Sequence, residues 1–372
     1  MHLAPMNRQM PVARKEWFLF FSAGTCAAFL LSGPALMARL TSPPWLAFIS
    51  LWLFAAVLGS ALSVVRHADR LAHRLGEPIG TLILTLSVTF IEVVSISAIM
   101  LHGENNPTLA RDTLFAVVMI VLNGMVGLSL LLGGWRHSEQ HYNLRGANFY
   151  IGLILPLVTL SLVLPNFTQT TAGPTLSVPQ EMFLVAATVG LYAVFLVMQT
   201  GRHHGYFADE EPALRHTPPT GRQPLAFHAA MLVVYLVPVV FLAEQFAQPV
   251  DFLIETLHEP PALAGVIMAV LVATPEAIAA VRAAVANHMQ RSINIFLGSV
   301  LSTIGLTIPA IVLVGHFTGR EIILGVEHSD LVMLPLTLVV SIVTFGSGRT
   351  TVMQGAVHLV LFSAYLMLIV QS

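Results

Sequence analysis

Long apolar runs, each near the length of a membrane crossing and parted by short polar or proline-bearing breaks, organise this chain from end to end. A helix rises about 1.5 Å per residue and needs roughly 20 mostly apolar residues to cross a bilayer's hydrocarbon core. Eleven stretches meet that need: 17–38, 45–65, 80–101, 113–133, 149–164, 182–198, 225–246, 263–281, 293–315, 331–345 and 351–370. The fifth, sixth and tenth are the shortest. Between them stand TSPP at 41–44, GENNP at 103–107, PNFTQTTAGP at 165–174 and EPP at 259–261, rich in the Gly, Pro and Asn that interrupt helices. The predicted fold is an all-α polytopic membrane protein of about eleven transmembrane helices. Arg8, Arg14 and Lys15 precede the first run as they would in a secretory signal, but the run continues through SGPALMARL without a small-x-small cleavage site. The first helix is expected to stay.

Loops on the cytoplasmic side of a membrane carry an excess of Lys and Arg, so the span count can be tested against all 17 such residues. With eleven spans, Arg39, Arg111 and Arg320 fall on one side and the other fourteen on the opposite side. The N-terminus is therefore predicted inside and the C-terminus outside. The longest hydrophilic stretch, GRHHGYFADEEPALRHTPPTGRQP at 201–224, lacks helical periodicity and reads as a linker between halves. Its acids Asp209, Glu210 and Glu211 read as solvated, with cation sensing as the functional alternative. The expected organisation is 1–44 as N-terminus and extra first helix, 45–198 as one five-helix half, 199–224 as cytoplasmic linker, and 225–372 as a second five-helix half.

Composition narrows the function classes. Of 372 residues, 56% are hydrophobic and 10% charged, against roughly 25% charged in soluble domains, and mean hydropathy is +0.79. A formal charge of −2 with no basic cluster gives no footprint for nucleic acid. The single cysteine, Cys26, reads as a small apolar residue, and no Cys/His spacing suggests a structural zinc. No resident cofactor is expected.

A charged side chain at a membrane-helix centre costs roughly 2.5–3.5 kcal/mol on insertion scales, so one kept there has a reason. Glu92 and Glu276 are the acids at the middle of spans; His358 lies mid-span in the last helix, while His228 and Glu244 sit near helix ends within reach of the interface. Aligned on the acids, GTLILTLSVTFIE (80–92) lies over AGVIMAVLVATPE (264–276). The helices that follow also match, VLNGMVGLS (121–129) over SVLSTIGLT (299–307), sharing Gly127/Gly305, Leu128/Leu306 and the hydroxyls Ser129/Thr307. The acids fall in the third and eighth spans, an odd separation, so the two helices cross in opposite directions and the repeat is inverted. Inverted repeats meeting near the midplane are the architecture of secondary transporters.

The faces around the acids differ. Thr81, Thr85, Thr89 and Ser95 share the Glu92 side of their helix, where hydroxyls either ligate or bond back to the preceding turn. Gly265, Ala269, Ala273, Ala279 and Ala283 share the Glu276 side, a stripe suited to close helix packing. Pro275 deprives the turn behind it of a backbone donor near Leu271, and freed carbonyls can bind cations. Calcium takes 6–8 hard oxygen ligands, which two carboxylates with Asn123, Ser299, Ser302 and Thr303 could supply, and the oxygen-only set argues against softer metals. Without a cation, two carboxylates in a dehydrated site repel one another and take up protons. Cation and proton then compete for the same oxygens, which suffices for exchange.

SVVRHADRLAHRLGEPIGTLILTLSVTFIEV (63–93), the run from Arg111 through LLLGG (130–134), RSINIFLGSVLSTIGLTIP (291–309) and FGSGRTTVMQGAVHLVLFSAYLM (345–367) resemble bacterial ChaA-type calcium/proton antiporters. These form part of the cation/proton exchanger branch of the calcium/cation antiporter superfamily. The resemblance implies an extra first helix before two inverted five-helix repeats, a bacterial cytoplasmic membrane, and glutamates, here Glu92 and Glu276, that bind and release calcium and protons. It also implies polar ligands on the helix after each acid, at Asn123, Ser299 and Ser302, and leaves sodium or potassium open as cargo; Thr89 is a supporting candidate from the hydroxyl face of the Glu92 helix, not from the resemblance. Two departures stand out. The broader family writes Gly-Asn shortly before each glutamate, whereas Val88-Thr89 and Val272-Ala273 stand here, and the middle loop is less acidic than in much of the ChaA group.

The same residues admit other classes. Ser347 and His358 suggest an intramembrane hydrolase, but eleven residues of helix separate them by about 1.5 Å each, beyond hydrogen-bond reach. His358 reads either as a satisfied interior histidine or as a proton relay. A channel or organic-solute carrier could use the same repeat.

Overall fold

The computed structural model describes residues 16–76, 79–101, 107–208, 223–257 and 260–371. Among these, ten helices are long and apolar enough to cross a membrane. They are α1 (Trp17–Met37), α2 (Pro43–Leu75), α3 (Ile79–Leu101), α4 (Leu109–Arg136), α5 (Leu144–Phe167), α6 (Val178–Thr200), α7 (Leu225–Ile254), α8 (Pro261–Val285), α9 (Met289–Thr318) and α11 (Val352–Gln371). The shorter apolar helix α10 (Asp330–Phe345) completes the eleven. The protein is an all-α polytopic membrane protein, and its outer surface carries large apolar side chains such as Leu31, Val197, Val343 and Val370.

Helix ends differ from the hydropathy limits for local reasons. Asn143 caps α5 by accepting from the backbone of Arg145 and Gly146, and Ser177 with Gln180 forms a capping box on α6. Both helices thus begin four to five residues before their apolar runs. The α2 helix outlasts its apolar run to Leu75, so Arg66, Arg70 and Arg74 lie on helix beyond that run. In the linker, residues 201–208 form turns and a short 3₁₀ segment (His204–Tyr206), while Asp209, Glu210 and Glu211 lie outside the described residues.

The connections sort into two ends of the bundle, as alternate crossing demands. At one end, strands β1 (Gln140–His141) and β2 (Arg349–Thr350) pair antiparallel, Gln140 donates to the Ala284 carbonyl, and the Asn143 backbone N–H donates to Gln290. Arg74 donates to the Gln223 carbonyl at this same linker end. At the opposite end, Ile323 donates to the Pro107 carbonyl and Arg320 to that of Leu101. Arg111 sits there too, buried rather than in a loop, bonded to Asp112 (2.7 Å), Glu327 (2.9 Å) and the Gly325 carbonyl (3.2 Å). The helix α4 starts one turn earlier than its hydropathy, which brings this ion-paired arginine into its first turn.

Two inverted halves are visible in the packing. The first helices of the halves, α2 and α7, pack along one another, and α3 and α8 lean on this pair. The most enclosed helices are α4 and α9, the third helices of the halves, and each contains a π-helical turn, Ile120–Met125 in α4 and Thr303–Thr307 in α9. The shared glycines are notches: a Cβ on Gly127 would lie 2.8 Å from Leu359 of α11, and one on Gly305 would lie 2.9 Å from Tyr192 of α6. Each half's last helix thus seats a side chain in the third helix of the other half. The small-residue stripe of α8 serves packing, since a Cβ on Gly265 would stand 2.7 Å from the Asp112 backbone.

The extra helix α1 is tied to this frame by polar contacts. Ser22 bonds Ser60 (2.8 Å), Trp52 donates to Thr25 (3.1 Å), and Glu16 accepts from Arg66 and from the Tyr235 hydroxyl (3.1 Å). His67 stands 3.4 Å from Glu16 and bonds His228 at 2.9 Å, both rings buried. His228, near the start of α7, is thus buried against His67 rather than open to solvent, while Glu244 is exposed.

Candidate functional site

The mid-helix acids converge on α9. Glu92, 4% exposed, accepts from Thr303 Oγ1 at 3.0 and 3.2 Å and from Thr307 Oγ1 at 2.7 Å. Glu276, half-buried, accepts from Ser299 Oγ. Ser299 and Thr303 are one helical turn apart, about 6 Å along the axis, so carboxylates from α3 and α8 hang on neighbouring turns of one face of α9. The two carboxylates lie within electrostatic range of each other. Hydroxyl donors to a carboxylate are charge-assisted and replace part of the water it has lost.

The local sequence explains this arrangement. The α3 and α8 helices run in opposite directions, and the small face of α8 lets it press against α4 and α9, carrying Glu276 to Ser299. Thr303 and Thr307, four residues apart at the two ends of the π turn of α9, share one face and both donate to Glu92. Despite Pro275, α8 runs unbroken from Pro261 to Val285.

The other expected residues divide. Thr89, one turn before Glu92, is 7% exposed and its hydroxyl has no hydrogen-bond partner, so it does not bond back to the helix. The side chain of Thr81 lies outside the described residues. Ser302 is not brought to either carboxylate, because its hydroxyl donates to the Ser299 carbonyl at 2.9 Å. Asn123 belongs to a second polar cluster: its amide nitrogen donates to Thr337 (2.8 Å) and its oxygen meets His358 Nδ1 (3.2 Å), whose Nε2 meets Thr344 (3.0 Å). Ser347 donates to the Arg349 carbonyl, so it does not pair with His358 as a hydrolase would need.

Sequence reasoning named Thr303 as one hydroxyl among several and met Thr307 only as a repeat match. It missed Thr337 and Thr344, though their spacing of seven puts both on one face of α10. The site is also lopsided. The α4 positions matching Ser299 and Thr303 are Val121 and Met125, and the hydroxyl of Ser129, which matches Thr307, has no hydrogen-bond partner, so the hydroxyls that meet the carboxylates come from α9.

A family model described as Sodium/calcium exchanger protein matches residues 45–201 and 227–371. The sodium-potassium/proton antiporter ChaA of Escherichia coli (strain K12) is 40% identical over 329 residues, covering 86% of this chain and 88% of that protein. Among solved structures, native YfkE matches with a TM-score of 0.73 at 18% identity, covering 95% of this chain and 99% of that one. The crystal structure of the H+/Ca2+ exchanger CAX gives 0.66 at 13% identity, covering 96% and 89%. At those identities the two structures speak for the fold. With most of its length matched by the family model and a relative at 40% identity, this chain belongs to the sodium/calcium exchanger family.

Proposed function

We propose that this chain is a secondary active transporter, a calcium/proton antiporter of a bacterial cytoplasmic membrane, with its N-terminus inside and its C-terminus outside. One observation carries the reading: carboxylates from oppositely oriented halves meet on one face of α9 among hydroxyl donors. Glu92, Glu276, Ser299, Thr303 and Thr307, with the unpartnered Thr89, offer the hard oxygens that calcium takes in sets of 6–8. No soft ligand stands among them.

Exchange follows from competition. Two carboxylates sharing a dehydrated pocket are neutralised either by a divalent ion or by protons, and the hydroxyls can turn from donating to the carboxylates to accepting from the cation. If the halves rearrange readily only when the pair is neutral, calcium bound on one side and protons bound on the other move in opposite directions. The sidedness rests on the Lys and Arg asymmetry of the loops.

The relative named a sodium-potassium/proton antiporter favours a second reading, in which monovalent cations are the main cargo. Everted membrane vesicles holding a proton gradient separate the two. Calcium, sodium, potassium and magnesium are added singly while gradient dissipation is followed. Release by calcium at the lowest concentration supports the first reading, release by sodium or potassium alone supports the second, and release by none removes antiport.

A further inference from the structure

His358 has no role in the exchange described above, yet it is 0% exposed at the centre of α11 and joins three helices. Its surroundings fix its hydrogens. The Asn123 amide donates through nitrogen to Thr337 Oγ1 (2.8 Å) and toward Met119 sulfur (3.5 Å), which leaves its oxygen to face His358 Nδ1 at 3.2 Å. Nδ1 must therefore carry the proton, and the ring also meets the Leu122 carbonyl as an acceptor. In the neutral ring with Nδ1 protonated, Nε2 is a lone pair that accepts from the Thr344 hydroxyl at 3.0 Å. Both ring nitrogens are hydrogen-bonded. Among the described residues neither nitrogen faces a carboxylate that could pass it a proton.

What His358 holds is in a telling place. Asn123 lies in the π turn of α4, Ile120–Met125, which packs directly on α8, the helix of Glu276, and on α9. The π turn of α9 is the one whose Thr303 and Thr307 hold Glu92. An asparagine amide presents oxygen on one side and nitrogen on the other, and a flip exchanges an acceptor for two donors. The Met119 sulfur, an acceptor without a hydrogen to give, favours the amide nitrogen on its side, and a proton on His358 Nδ1 holds the oxygen on the other.

We propose that His358 is a positioning residue for cation exchange, whose Nδ1–H holds the orientation of the Asn123 amide in the α4 π turn that packs on α8, the helix of Glu276. This rests on the reading that Glu92 and Glu276 bind the cation. It replaces a proton relay through His358 by a role that needs no change of charge.

Three variants, His358→Leu, His358→Asn and Thr344→Val, test it in proteoliposomes, with calcium KM, maximal rate and pH profile measured beside Glu276→Gln. The Asn side chain places an N–H where Nδ1 stood but cannot serve as a titrating relay. The expected result is a calcium KM raised about five- to tenfold in His358→Leu at a comparable maximal rate, consistent with loss of one buried hydrogen bond. His358→Asn is expected to recover most of that loss with the wild-type pH profile, and Thr344→Val to shift KM in the same direction by less. Loss of exchange or a displaced pH profile in His358→Asn would overturn the proposal in favour of a relay. An unchanged KM in all three, with only less folded protein, would overturn it in favour of plain packing. Exchange persisting in Glu276→Gln would instead remove the carboxylate reading beneath it.

Discussion

Glu92 and Glu276 are held unequally, and the difference sets what neighbouring substitutions do. Glu92 is enclosed and takes hydroxyls from two threonines, while Glu276 is half-buried and takes one serine. Hydrogen bonds to charged groups contribute about 1.5–3 kcal/mol, so Thr303→Val and Thr307→Val are each expected to raise the calcium KM about tenfold or more. Ser302→Ala serves as the contrast: its hydroxyl goes to the Ser299 carbonyl, and a KM within about twofold of wild type is expected. Flux assays on the three variants check both statements. The acids themselves were legible from sequence because a buried charge is costly enough to stand out. Their partners were not, since the face on which a hydroxyl falls depends on the rotation of α9, and its π turn shifts that rotation away from a regular 3.6-residue count.

At the scale of the element, the glycine notches and the α1 tether separate packing from transport. A side chain on Gly305 meets Tyr192 at 2.9 Å, whereas Gly152 has nothing within 4 Å. Gly305→Val is expected to destabilise the protein by about 1–3 kcal/mol through overpacking, seen as a lower melting temperature in detergent, while Gly152→Val stays near wild type. Glu16→Ala removes the acceptor of Arg66 and Tyr235 and is expected to lower the melting temperature by a few degrees without changing the calcium KM. The effect is modest because Arg66 remains 37% exposed and solvent screens its charge. Each apolar run predicted from sequence corresponds to a helix, because run length and bilayer thickness impose the same number of residues. Their ends were less legible: Asn143 and Ser177 start helices by capping, and α2 continues past its apolar stretch because nothing in SVVRHADRLAHRL breaks a helix. The buried pair of His67 and His228, 161 residues apart, needed the packing of α2 on α7 to become visible.

For the whole molecule, the inverted repeat was readable from two acids an odd number of crossings apart, and the glycine notches at Gly127 and Gly305 give it physical form. Loop arginines gather at the linker end, with Arg74, Arg145 and Arg349 there and Arg320 at the other. A reporter fused after the last helix is therefore expected to be active as alkaline phosphatase and dark as green fluorescent protein, and the reverse pattern would invert the proposed sidedness. What no periodicity could supply was the meeting of α3 and α8 on α9, because contacts between halves depend on how eleven helices pack rather than on any one of them. That meeting is the centre of the account, and proteoliposomes loaded with a pH-sensitive dye test it directly with wild type, Glu92→Gln and Glu276→Gln. Calcium added outside should drive proton movement through the wild type and through neither variant, whereas undiminished calcium-dependent proton movement in either variant would contradict the account.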